Sequence, residues 1–122
     1  MDCAASEWLD GDGYFLPKRG ERRTRDELIG YYEALAGDFP LVSIEDPLGE
    51  EDFEGFRELT ERLGEKLMVV GDDLFVTHAE RLMLGAAEGA GNAILVKPNQ
   101  VGTLTETLDA VRTARQVGYA VI

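Results

Sequence analysis

Three short apolar runs that each end on charge constrain this chain more than any other feature. They are "VSIEDP" at 42–47, "MVVGDD" at 68–73 and "AILVKP" at 93–98. Residues 41–45, 68–72 and 93–97 have the length and continuity of parallel strands covered on both faces. A charge in the middle of such a strand would be buried, so charge at its end marks one edge of a sheet. Three strands ending alike suggest a site on that edge.

The segments between them have helical spacing. Leu28, Ile29, Tyr32, Leu35 and Ala36 mark one apolar face; Phe53, Phe56, Leu59 and Leu63 mark a second; Leu104, Leu108, Val111 and Ala114 mark a third. Thr24–Glu27, Thr77–Glu80 and Thr103–Glu106 each fit a capping box at a helix start. Glycines 37, 64, 89 and 118 fall near the expected helix ends. "DGDG" at 10–13 predicts a turn in a small excursion. Repeated strand–helix units predict an α/β fold with a parallel sheet and right-handed crossovers. The chain begins on Asp2 with almost no strand before it and reaches "GYAVI" at 118–122 in what reads as another strand. That pattern predicts part of a larger (β/α) barrel, incomplete in this chain, with no second domain.

Acids outnumber bases 24 to 12, a formal net charge of −12. Nucleic acid and anionic membrane both need a basic footprint, so neither is expected as a partner. The excess acid suits either a metal cation or simple solvation. With one cysteine, Cys3, no internal disulfide forms, and a reducing cytoplasm is the expected compartment. Cys3 is expected to be a small buried residue. No apolar run has the length of a membrane span.

In parallel α/β folds the active site lies at the carboxyl ends of the strands. Neighbouring strands lie about 5 Å apart, so carboxylates from two or three of them can converge. A hard cation such as Mg²⁺ takes oxygen ligands and relieves the repulsion that crowded carboxylates would suffer. Glu45–Asp46 and Asp72–Asp73 are candidates, and Asp2 is a possible third contributor. Adjacent strand residues point to opposite sides, so one acid of each pair faces the centre and the other serves as a hydrogen-bonding partner behind it. Lys97 has two readings. Near a metal and partly desolvated, its pKa should fall, as a general base requires. Alternatively its stem covers a strand exit while its ammonium stays in water.

Four stretches carry a family resemblance: "DCAASEW", "VSIEDPL", "VGDDLFVTH" and "ILVKPNQVGTLTETLDAV". In this order and spacing they resemble the enolase family, the phosphopyruvate hydratases, over essentially the whole chain. The resemblance implies the carboxy-terminal barrel domain, from the end of its third strand to part of its seventh. It implies a glycolytic lyase that removes water from 2-phosphoglycerate to give phosphoenolpyruvate, and runs in reverse in gluconeogenesis. It implies Mg²⁺ held by Asp2, Glu45 and Asp72, with Lys97 as proton acceptor. Glu45, Asp72 and Lys97 would also contact substrate, and Asp46 and Asp73 would support them. Family members are homo-oligomers, dimers or octamers, and occur in the cytoplasm, and also secreted or at the cell surface. Two positions depart from the pattern: His78 stands where asparagine is expected, and Pro98 where a bulky apolar residue is usual. His78 is expected at a helix start with no catalytic role.

The resemblance also implies absences. The amino-terminal domain, the acid that protonates the leaving hydroxyl and the later His-Arg-Ser substrate clamp are not in these 122 residues. The isolated chain is therefore expected to be inactive. Two other readings are a non-catalytic partial barrel or truncated product, and a related superfamily enzyme acting on another carboxylate.

Overall fold

A computed structural model describes residues 1–122. A 3-10 turn at Ala5–Trp8 leads into β1 (Leu9–Asp10), β2 (Gly13–Leu16) and β3 (Glu21–Arg23). There follow α1 (Arg25–Asp38), β4 (Ser43–Glu45), α2 (Phe53–Leu63), β5 (Met68–Gly71), α3 (Ala79–Glu88) and β6 (Ala93–Ile94). The chain then makes α4 (Pro98–Val101), α5 (Leu104–Gln116) and β7 (Ala120–Val121). The first three strands form an antiparallel excursion whose first turn is the "DGDG" segment. The last four form a parallel sheet in chain order, β4-β5-β6-β7. Asp2 adds one parallel bridge beside Glu45. This is the strand–helix alternation of a (β/α) barrel, and the sheet is open, with Asp2 and β7 at its two ends.

Register decides which residues share a face. Asp2, Glu45, Val70 and Ala93 lie in one row across the sheet. Side chains alternate along a strand, so Ile44, Val69 and Ile94 point the other way. Those three belong to the 21-residue core cluster that includes Phe56, Leu59 and Leu82 from the covering helices. The row of Asp2 and Glu45 therefore faces the barrel interior. Asp72 follows the last residue of β5 directly, and Lys97 stands three residues past the end of β6 as the cap of α4; their side chains meet, Lys97 Nζ pairing with Asp72 Oδ2.

Helix starts follow their signals unevenly. At α1, Thr24 accepts from the Glu27 N–H while Glu27 accepts from the Thr24 N–H, a complete capping box. At α5, Thr103 accepts from the Glu106 N–H, but the Glu106 carboxylate takes the Thr103 hydroxyl instead of the backbone. At α3 the expected box does not form. Thr77 is buried with φ 55°, and His78 occupies the cap position without a side-chain bond. Gly37 lies inside α1, which ends at the extended Phe39; Gly89 and Gly118 do adopt the left-handed conformation.

The first two apolar faces pack inward as expected. Leu28, Ile29 and Tyr32 of α1 and Phe53, Phe56, Leu59 and Leu63 of α2 are all buried. The third is rotated. In α5 the buried residues are Thr107, Ala110 and Ala114, while Leu104 is 70% and Leu108 44% exposed. Small side chains let α5 sit close to α3, and the larger leucines are left outside.

Phe75 is tightly packed between β5 and α3. A Cβ on Gly71 would lie 2.6 Å from its ring, and one on Gly85 2.5 Å. Only glycine lets β5 and α3 approach the ring from both sides. Asn92 ties β5 to the segment before β6: its Oδ1 accepts from the Val69 N–H at 2.8 Å, and its Nδ2 donates to the carbonyls of Gly64 and Leu67. No helix is long and apolar enough to cross a membrane.

Candidate active site

The carboxyl edge is assembled largely by backbone bonds. The Glu45 N–H donates to the Met1 carbonyl at 2.8 Å, and the Cys3 N–H donates to the Glu45 carbonyl at 2.9 Å. These bonds set Asp2 against Glu45. The Ala4 N–H donates to Asp2 Oδ1 at 3.0 Å, which fixes that carboxylate over a residue with φ 44°. Cys3 is buried in this join, and burial pushes its thiol up to about 11, so it has little thiolate at neutral pH.

Asp46 turns out of β4 with φ 40°. Its two carboxylate oxygens accept the N–H groups of Asp72 and Asp73, both at 3.0 Å. Its own N–H donates to the Val70 carbonyl and its carbonyl accepts from Ala5. One residue thus joins the amino-terminal segment, β4 and the loop after β5. Asp73 offers its N–H to this arrangement and leaves its side chain exposed.

Asp72 is buried at the end of β5 and shares its two oxygens between different donors. Oδ2 pairs with Lys97 Nζ. Oδ1 accepts from Gln100 Nε2 at 2.8 Å. Gln100 Oε1 in turn accepts from the Thr77 hydroxyl at 2.8 Å, and Thr77 Oγ1 accepts from the Lys97 N–H at 2.9 Å. The structure therefore brings Asp2 beside Glu45, and Lys97 onto Asp72, along one edge.

The electrostatics match crowded acids. Burial raises the Glu45 carboxyl above its usual range, and the charges of Asp2 and Asp72 raise it further. Burial also raises Asp46, against the lowering effect of its two backbone bonds. Lys97, whose pKa is expected to fall beside a metal, stands differently in the metal-free chain. Its pKa is raised, because the Asp72 carboxylate bonds to the ammonium, and 43% of its side chain remains exposed, which leaves desolvation too weak to oppose that pairing.

Carboxylate oxygens of Asp46, Asp72 and Asp73 all lie within 4.8 Å of one another. These three form an all-oxygen donor set with surplus negative charge, the chemistry a hard divalent cation requires, while the expected trio of Asp2, Glu45 and Asp72 is not drawn together as closely: Asp2 and Glu45 lie beside each other along the same edge. The edge is open. A hollow of about 450 Å³ adjoins Asp2, between Trp8, Leu16 and Tyr32, and does not reach Glu45 or Lys97.

Two members of the edge escaped the sequence reading. Gln100 follows Lys97 by three residues on α4, a one-turn helix that Pro98 begins. Thr77 read as a helix cap. The only local signal for Gln100 was a polar residue one turn beyond Lys97, and for Thr77 the capping-box pattern alone.

A parallel (β/α) segment with acids and a lysine at successive strand ends defines a barrel-enzyme class that places its chemistry at that edge. The chain belongs to the enolase family: residues 1–122 match the family described as Enolase, C-terminal TIM barrel domain. It is 53% identical over 122 residues to the enolase of Methanopyrus kandleri, covering 100% of this chain and 29% of that protein. It is 52% identical over 122 residues to the enolase of Tropheryma whipplei strain Twist, covering 100% of this chain and 28% of that protein. The chain thus spans less than a third of the length of these relatives.

Proposed function

We propose that these residues are the metal- and base-bearing part of an enolase, the lyase that dehydrates 2-phosphoglycerate to phosphoenolpyruvate in glycolysis. They correspond in this reading to the carboxy-terminal barrel domain from the end of its third strand to part of its seventh. The amino-terminal domain lies outside them. The observation that carries the proposal is the meeting of Asp2 with Glu45, and of Lys97 with Asp72, along the carboxyl edge of the parallel sheet.

Asp2, Glu45 and Asp72 would hold Mg²⁺, and Asp46 and Asp73 would support them through the backbone bonds of the β5 loop. The bound cation supplies positive charge beside the substrate carboxylate, where negative charge accumulates as the neighbouring proton leaves. Lys97 is the proton acceptor. As the fold stands it is protonated and paired with Asp72, so it must leave that carboxylate before it can accept a proton. Glu45, Asp72 and Lys97 then border the substrate. The donor of the proton to the departing hydroxyl is supplied from outside these residues, and the working enzyme is a cytoplasmic homo-oligomer.

An enolase carrying residues 1–122 in place of its own corresponding segment tests this reading. It should form phosphoenolpyruvate with Mg²⁺ and stop on chelation. A chimera that melts cooperatively and binds Mg²⁺ but shows no turnover would overturn it.

A further inference from the structure

The polar ring at the β5–β6 edge has a direction built into it. The Lys97 N–H can only donate, so Thr77 Oγ1 must accept from it, at 2.9 Å. The single hydroxyl hydrogen of Thr77 is then free for Gln100 Oε1, at 2.8 Å. With its oxygen engaged, Gln100 has only its NH₂ group to offer Asp72, and Nε2 lies 2.8 Å from Oδ1. An ionised carboxylate is acceptor-only, so the sequence of donors closes without conflict. Thr77 is fully buried and, like Val76, has positive φ, 55° and 44°. A β-branched residue in that region is strained. The loop therefore bends at a cost that brings one hydroxyl to the segment carrying Lys97.

We infer that Gln100, aimed by Thr77, is a positioning residue that fixes the rotation of the Asp72 carboxylate. One oxygen of Asp72 receives a neutral amide, and the other is turned to Lys97 and to any cation at the edge. A second lysine or arginine in place of Gln100 would neutralise Asp72 and weaken it as a ligand; an amide orients it and leaves its charge. Gln100 also ties α4 to the loop after β5, so Lys97 and Asp72 move as a unit. This deepens the metal-and-base reading above and rests on it for the cation alone.

The test uses the ¹⁵N-labelled 122-residue chain with Thr77→Val, Thr77→Ser, Gln100→Ala and Gln100→Glu. Valine keeps the shape and β-branching of threonine and removes only the hydroxyl. In the parent the Gln100 side-chain amide should give protected, shifted signals. Thr77→Val should return them to the position of a free glutamine with an unchanged circular dichroism spectrum, and Thr77→Ser should restore them. In parallel, Mn²⁺ binding followed by water-proton relaxation should weaken about 10-fold in Thr77→Val and Gln100→Ala, recover in Thr77→Ser, and tighten in Gln100→Glu, which sets a further carboxylate beside Asp72. Unchanged Gln100 amide signals in a folded Thr77→Val chain would overturn the inference. So would unchanged Mn²⁺ affinity in both Gln100 variants. If the parent chain binds no Mn²⁺ while the amide signals respond as stated, the metal reading falls and the positioning of Asp72 against Lys97 stands.

Discussion

At the scale of single residues, Glu45 is raised by burial and then by the carboxylates of Asp2 and Asp72, and Lys97 by its bond to Asp72. A carboxyl raised on folding contributes stability below its unfolded pKa and loses it as pH rises through the folded one. Glu45 is raised, chiefly by burial and then by Asp2 and Asp72. The metal-free chain should therefore be less stable at neutral pH because of it. Glu45→Gln should raise the melting temperature at pH 7 without metal, with little effect below the carboxylate range, and should reduce the further rise that Mg²⁺ produces. Calorimetry at the two pH values checks both signs, and a Glu45→Gln chain that melts lower at pH 7 would contradict them. Lys97 gives a kinetic test. In the enolase chimera, Lys97→Ala should slow exchange of the substrate's acidic proton with solvent by about 10²–10⁴-fold while Mg²⁺ still binds. Normal exchange in the variant would remove Lys97 from the role of base.

At the scale of elements, the site depends on how closely β5 and α3 meet. Gly71 and Gly85 leave no room for a methyl group beside Phe75. Gly85→Ala gains helix propensity on α3 yet forces the Phe75 ring or the helix to move. Overpacking of this kind costs about 1–3 kcal/mol, more than the propensity gain. The variant should unfold at lower urea, with an unchanged slope; higher stability would show that the ring has space the structure does not display. The same elements explain where local signals misled. The Thr77 signal for a capping box lost to tertiary demand, since its hydroxyl is spent on Lys97 and Gln100. The α5 stripe was legible as helix, but its buried side was not. Ala110 and Ala114 pack against the fold while Leu104 and Leu108 face out, because close approach favours small residues over apolar ones.

At the scale of the whole molecule, the parallel sheet is open and apolar surface is left uncovered. Met83, Leu84, Leu104 and Leu108 are exposed on α3 and α5, and Val121 and Ile122 at the β7 end. A barrel protects its strands by closing, and an unpaired edge invites association. The isolated 122-residue chain should show no enolase turnover with excess Mg²⁺, and its weight-average mass in sedimentation should rise with concentration. Leu104→Lys combined with Leu108→Glu should reduce that rise without lowering the melting temperature, since neither leucine belongs to the core cluster. Turnover near that of an intact enolase, from a chain that stays monomeric, would defeat the expectation.

The sequence by itself determined the strand–helix order, the three charged strand ends and the family, because each is written in short contiguous stretches such as "SIEDP" and "LVKPNQVGTLTET". It placed Glu45 and Asp72 at strand ends, as found, but read the third strand through to Lys97, which stands three residues past the end of β6 as the cap of α4. Only the tertiary structure decided what those residues meet. Register, a property of pairs of strands, set Asp2 and Glu45 in one row, and a side-chain pair brought Lys97 onto Asp72 beyond the strand ends. The partners of Asp72 come from positions 97 and 100, and those of Asp46 from 72 and 73. Such bonds join residues 20 or more positions apart. No local spacing encodes them: they exist once packing has fixed which loops lie side by side.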